Sequence, residues 1–303
     1  MPIRRHPFVL TSAAAAVALA VPALAQTDFG KVRVKSTELA PGVHVLEGAG
    51  GNVGVSAGED GLILIDDQYA PLTDKILFAV RQFSDQPIRF VINTHFHGDH
   101  TGGNEHLGGQ GAWIVAHDNV RTRMSAEQFS RLFNRKTPPG PEGGWPVVTF
   151  SDNMNFHLNG HEIHVFHVEN AHTDGDAIVH FRNRNVIHMG DCFWNGNYPL
   201  IDVGSGGSIR GLIRAADAAL LLADGATKVV PGHGAVGGRE ELRAYRDMLV
   251  EVESRIQPLV TAGQTVDEIA RAKPLADLDA KWGGGSFMTP ERFLQAVVDD
   301  LAP

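Results

Sequence analysis

The 303-residue sequence predicts an α/β protein in which two sheets pack face to face and helices cover their outer sides. Short β-branched runs of strand length recur along the chain, among them "LILID", "IRFVINT" and "NVIHMGD". Segments with helical periodicity alternate with them, as in "PLTDKILFAVRQF" and "SIRGLIRAADAALLLAD". Strands, a helix and a strand ending near a histidine occur in the first half, and the same plan returns in the second. Stacked sheets with outer helices would bury all the apolar faces this plan creates. At 43% hydrophobic residues the chain has ample material for such a core.

The individual elements follow from local signals. "GVHVLEG" and "NVGVSAG" read as short strands, and a tight Gly-Glu-Asp-Gly turn leads into the buried strand "LILID". The next helix carries Leu72, Ile76, Ala79, Val80 and Phe83 on one face. "IRFVINT" is a buried strand, and the "TGGN" that soon follows it is turn-rich and expected to be flexible. "NRKTPPGPEGGWPVV" is a Pro/Gly-rich loop, either a boundary between halves or a cover over an active site. "MNFHLNGHEIHVFHV" is a hairpin turning at Asn159-Gly160. "DAIVHF", "RNRN" and "NVIHMGD" form a second strand pair, followed by a helix capped by Ser208 and the strand of "TKVVPGHG". From about residue 240 onward the chain is expected to be helical, with a capping box at Thr265 to Glu268.

Residues 1–25 are excluded from the fold. Arg4 and Arg5, an alanine-rich apolar stretch and Ala23-Leu24-Ala25 make the pattern of a secretory signal peptide cleaved after Ala25. The apolar part is short for a membrane span. The arginine pair leaves both general secretion and twin-arginine export open. Residues 26–303 are expected to form a single domain, periplasmic or secreted, with no membrane attachment after cleavage. Acidic residues outnumber basic ones, 35 to 26, and loss of the two arginines takes the formal charge from -9 to -11. Such a surface argues against nucleic acid as a partner. The single cysteine, Cys192, rules out an internal disulfide.

The chemistry is concentrated in a few polar residues at strand ends. "THFHGDHTGGN" places His95, His97, Asp99 and His100 within six positions, directly after a buried strand. His172 in "ENAHTDGD", Asp191 in "HMGDC" and His233 in "PGHG" also follow apolar strands, in loops containing Gly or Asp. Imidazole and carboxylate are the ligands that borderline metals such as zinc prefer. Seven such groups suffice for two metals. The remaining histidines, His44, His106, His117, His157, His161, His164, His167, His180 and His188, read as strand-surface or supporting residues, with His188 near enough to Asp191 to support it. Asp66 reads as a structural anchor for loop amides. Trp145 and Trp194 read as packing in preference to pocket lining, and Gly50-Gly51 and Gly206-Gly207 as either mobile loops or plain turns.

These motifs, in this order and spacing, resemble the metallo-β-lactamase superfamily of binuclear metal hydrolases, over roughly residues 40 to 240. The resemblance implies a four-layer αβ/βα sandwich with the site along one edge of the two sheets. It implies that His95, His97 and His172 hold a first zinc. Asp99, His100 and His233 would hold a second, and Asp191 would bridge the two or complete the second site. Two Zn2+ would lower the pKa of a shared water to about 7 and polarise a substrate carbonyl. Asp99 would also orient the nucleophile, and no serine or cysteine nucleophile is required.

Two positions depart from the best-known zinc β-lactamases, which bind the second zinc through a Gly-Gly-Cys thiolate. Here Gly190-Asp191-Cys192 offers both a carboxylate and a thiol. Asp191 is favoured, because adjacent strand residues point to opposite faces unless the strand has ended, and Cys192 stays an alternative. Those enzymes also place a Lys three residues after the Cys to hold the drug's carboxylate, and this chain has Asn195 there, an amide without the charge. The expectation is an exported class B β-lactamase-like zinc hydrolase acting on a small-molecule carbonyl substrate, most nearly an amide or lactam. A thioester or ester hydrolase like glyoxalase II is the alternative, supported by the Gly-Asp motif. Iron-dependent persulfide oxidation and non-catalytic zinc binding rank lower.

Overall fold

Alternation along the strands sets the architecture of the computed structural model, which describes residues 27–302. The signal-peptide reading of residues 1–25 lies outside the described residues. The first part of the chain forms strands β1 (Lys35–Ala40), β2 (Val43–Glu47), β3 (Val53–Ser56) and β4 (Leu62–Ile65), then helix α1 (Thr73–Val80) and β5 (Ile88–Ile92). Two short helices follow, α2 (Gly98–Thr101) and α3 (Asn104–Gly109), then β6 (Trp113–His117) and α4 (Asp118–Met124). A small hairpin of β7 (Gln128–Ser130) and β8 (Arg135–Thr137) precedes β9 (Val148–Phe150). The second part runs through β10 (Asn153–Leu158), β11 (His161–His167), β12 (Ala177–Phe181), β13 (Val186–His188), α5 (Ile209–Leu222) and β14 (Lys228–Val230). Helices α6 (Arg239–Thr261), α7 (Val266–Ala272), α8 (Ala276–Trp282) and α9 (Pro290–Leu301) complete it.

A seven-stranded sheet has the order β1-β2-β3-β4-β5-β6-β9, and a five-stranded sheet the order β10-β11-β12-β13-β14. In β4, Ile63 and Ile65 face inward to the second sheet, while Leu62 and Leu64 face outward to α1 and its neighbours. In β12, Ala177 and Val179 face inward and Ile178 outward, toward the core beneath α5, α6 and α9. Three apolar layers therefore separate four structural layers, helix, sheet, sheet and helix. This is the αβ/βα sandwich that the sequence implies.

The local signals act where expected. Asn159 and Gly160 both take positive φ, 58° and 64°, as a tight two-residue hairpin turn requires. The Ser208 hydroxyl accepts from Gly211 N at 2.9 Å and caps α5. Thr265 and Glu268 form the capping box of α7. The "TGGN" stretch differs from expectation: it joins α2 to α3, and Gly102 N and Gly103 N are tied to Gln68 O and Asp67 Oδ1. The Pro/Gly-rich loop likewise contains β8 and the start of β9. Among the described residues no helix is long and apolar enough to cross a membrane.

Candidate metal centre

All seven candidate ligands converge at one edge of the sandwich. Strand β5 ends at Ile92, and the chain then delivers His95, His97, Asp99 and His100. His97 is the N-terminal cap residue of α2, and Asp99 and His100 lie within that helix, so the cluster occupies a loop and a helical turn. The second sheet supplies His172 before β12, Asp191 after β13 and His233 after β14.

Their donor atoms fall into two groups, His95, His97, His172 and Asp191 in one and Asp99, His100 and His233 in the other, with atoms inside each group within 4.8 Å of one another. Asp191 faces both. Its Oδ2 lies 3.5 Å from His172 Nε2 and 3.9 Å from His95 Nε2, and its Oδ1 lies 3.1 Å from His100 Nε2 and 3.4 Å from His233 Nε2. Asp99 Oδ2 lies 3.3 Å from His233 Nε2. Strand β13 ends before Asp191, which sits in a helical turn spanning Gly190–Cys192. This is why Asp191 turns into the site while Cys192 enters the core, 1% exposed and absent from both donor groups. Burial pushes the Cys192 thiol well above its usual range.

The imidazoles are held with one nitrogen aimed at the site. His172 Nδ1 donates to Leu200 O at 2.8 Å, and His97 Nε2 donates to Asp202 Oδ2 at 3.0 Å. His100 Nδ1 donates to Asp66 Oδ2 at 2.7 Å. Thr94 Oγ1 gives its proton to Asp66 and stands 3.1 Å from His95 Nδ1, so it accepts from that ring. Each contact commits the outer nitrogen as a donor and leaves the inner one available to bind a cation. Asp66 holds His100 directly and His95 through Thr94, and it also accepts from Thr94 N, which agrees with its reading as a structural anchor.

The donor set fits metal. His95 Nε2 and Asp191 Oδ1 are buried without a hydrogen-bond partner among the described residues. Across the site, His172 Nε2 is 2.9 Å from His97 Nδ1, and His100 Nε2 is 3.4 Å from His233 Nε2. Glycines make room for this convergence. A methyl group at Gly232 would lie 2.0 Å from Asp191 Oδ1, and one at Gly51 would lie 2.0 Å from His100 Cε1. Gly51 is thus a packed turn, its carbonyl held by Gln68 Nε2 at 2.8 Å. Gly207 is packed in the same way against His172 O.

Charge divides the two groups. Burial holds His95 well below its ordinary pKa and His172 down at about 4, so both are neutral. Burial also opposes the charged forms of His100 and His233, but Asp191 and Asp99 outweigh it. They hold His100 well above its ordinary value and His233 at about 9. Burial alone would raise the Asp191 carboxyl, and His233 and His100 instead keep it well below the usual carboxylate range. Divalent cations bound here would supply Lewis acidity and hydroxide at neutral pH. The chain's own part is to fix the ring tautomers, balance the cationic charge with Asp99 and Asp191, and leave one side open.

The other singled-out residues fall elsewhere. His161 Nδ1 meets Ser56 Oγ at 2.7 Å and ties the two sheets together. His44 stacks on Phe83, and His117 on His167. His188 donates to Asn52 O from beneath the site. Trp145 donates to Gly140 O and faces Arg121. Trp194 is buried in the core, as the packing reading has it, and its ring lies 4.4 Å from that of His233. The side-chain amide of Asn195 donates to Ala235 O at 2.8 Å. Asp202 is the residue that sequence reasoning missed, because it follows "NYPLI" in no recognisable motif and only the fold brings it to His97.

The family model of the metallo-beta-lactamase superfamily matches residues 46–233, well over half of the chain. The chain belongs to this superfamily of metal-dependent hydrolases. A curated relative, the linear primary-alkylsulfatase of a Pseudomonas species, is 25% identical over 250 residues. That alignment takes in 69% of this chain and 47% of the relative, so the chain spans about half of that protein's length. Among solved structures, the metallo-beta-lactamase from Pontibacter korlensis superposes with a TM-score of 0.59 at 19% identity, covering 72% of this chain and 99% of that one. The stereoselective inverting sec-alkylsulfatase Pisa1 from a Pseudomonas species gives 0.64 at 21% identity, covering 88% of this chain and 50% of that one.

Proposed function

We propose that the chain is a two-zinc hydrolase of small carbonyl substrates, and that esters and lactones suit it better than β-lactam drugs. The observation that carries the two-metal reading is the Asp191 carboxylate, one oxygen facing each donor group. Divalent cations held by these residues would supply hydroxide at neutral pH; its addition to the carbonyl carbon would break the bond to the leaving oxygen and give a carboxylate, with the hydroxide's own proton passing to the departing alkoxide. Asp99, beside His233 at the open side of the centre, orients the nucleophile.

Asn195 supports the preference over β-lactams. It occupies the position where zinc β-lactamases carry a lysine, and its amide is engaged by Ala235 O.

A sulfate ester is the second reading. It is favoured by likeness to an alkylsulfatase in both sequence and structure. One assay panel tests both: 4-nitrophenyl butyrate, a chromogenic cephalosporin and dodecyl sulfate, each with zinc-loaded and chelated protein. Chelator-sensitive ester turnover exceeding cephalosporin turnover is expected. Sulfate release as the fastest reaction would overturn the carbonyl reading. Export to the periplasm or medium belongs to the same proposal, and a secreted product beginning at Gln26 is its test.

A further inference from the structure

The centre opens in one direction. His95, His100, His172 and Asp191 are sealed, whereas the side chains of His97, Asp99 and His233 keep 20%, 22% and 25% of their exposure. Any substrate presents its reacting carbon on this side and must lay the rest of its body along the rim.

On the His233 side the rim is aromatic. The Trp194 ring lies 4.4 Å from His233, Phe287 lies 6.2 Å from Trp194 in a stacked orientation, and Phe133 lies 5.3 Å from Phe287. Phe133 sits in the turn between β7 and β8, and Phe287 in the loop between α8 and α9, beyond the residues that the family model matches. Arg292 fixes the pair, donating to Phe287 O at 2.6 Å with its guanidinium 5.7 Å from the Phe133 ring. The base of the hairpin meets the segment that follows Asp202. Phe129 O packs against Gly204, two residues beyond the Asp202 that holds His97. Phe287 remains 37% exposed.

We infer that Phe133 and Phe287 form an apolar subsite continuous with the metal centre, which takes an alkyl or aryl group of the substrate. The inference rests on the hydrolase reading and narrows it to hydrophobic esters. A group seated there leaves water for a ring-lined surface. Each methylene so buried raises affinity up to about fourfold.

The test uses zinc-loaded protein and 4-nitrophenyl acetate, butyrate and octanoate. The expected result is kcat/KM rising with chain length, mainly through KM. Phe133→Ala and Phe287→Ala should each cut the octanoate-to-acetate ratio by about tenfold, and Phe133→Leu by less. Phe78→Ala, on the exposed face of α1, should leave the ratio alone. Calorimetric binding of octylphosphonate against methylphosphonate gives the same comparison without turnover. If no ester reacts yet octylphosphonate binds more tightly and the variants abolish the difference, the hydrolase reading fails and the subsite stands. Equal behaviour of short and long ligands would overturn the subsite. A change of sedimentation coefficient in the two alanine variants would also overturn it, because the rings would then be a contact between copies.

Discussion

At the scale of single residues, Asp191 and its neighbour Cys192 make opposite demands. Asp191 is a sealed carboxylate between four imidazoles, so Asp191→Asn removes the charge that offsets two cations. The expected outcome is loss of at least one zinc by metal analysis, with activity falling a hundredfold or more. Cys192→Ala leaves the donor groups intact and removes only a buried sulfur, so zinc content should hold while stability drops by roughly 1 kcal/mol. Retained zinc in the first variant together with lost zinc in the second would make the thiol the ligand. The imidazoles also predict a pH signature. Below about pH 9 His233 holds a proton in the metal-free chain, and His100 is likewise raised. A metal entering that group must displace both protons. In the other group His95 and His172 are already neutral, and only His97 is raised, because Asp202 outweighs the effect of burial. Affinity for both metals therefore falls as pH falls, and more steeply at the Asp99, His100 and His233 group. Stepwise zinc titrations at pH 7.5 and pH 6 measure this, and equal weakening of the two steps would contradict it.

At the scale of elements, the site depends on how tightly turns close around it. Gly51 precedes β3 and admits the His100 ring where a methyl group would lie 2.0 Å from Cε1. Gly51→Ala should therefore weaken the second zinc by tenfold or more, read by competition with a chromophoric chelator, while the first step changes little. Strand ends were legible in the sequence because each ligand follows a β-branched run. The "THFHGDHTGGN", "AHTDGD", "MGD" and "PGHG" motifs thus mark the donors by local sequence alone. Helix periodicity and the caps at Ser208 and Thr265 were legible for the same reason, as local chemistry. What local signals could not show are contacts across long stretches of chain. The Asp202–His97 pair spans 105 residues, and the aromatic rim joins a hairpin to the helical C-terminal part. Strand β6 was also hidden, since "WIVAH" is five residues long and its character comes from lying parallel between β5 and β9.

At the scale of the whole molecule, the centre joins the two sheets by polar side chains, as the His161–Ser56 hydrogen bond does elsewhere. The seven-stranded sheet contributes His95, His97, Asp99 and His100, and the five-stranded sheet contributes His172, Asp191 and His233. Each donor group draws from both sheets, so a bound cation acts as a cross-link between halves of the chain. Without disulfides, the described residues have no covalent equivalent. A cation that binds only the folded chain stabilises it by mass action, by about 4 kcal/mol when free metal exceeds Kd a thousandfold. For a chain of this size that corresponds to a shift in Tm on the order of 10 °C. Chelation should therefore lower Tm by this amount and zinc should restore it, followed by scanning calorimetry at fixed pH. Asp191→Asn should show a much smaller zinc-dependent shift than the parent, because the cross-link has lost its shared carboxylate. If the shift were the same in both, the stabilising cation would be bound elsewhere, and the two sheets would be held by their apolar interface and hydrogen bonds such as His161–Ser56, without a metal cross-link.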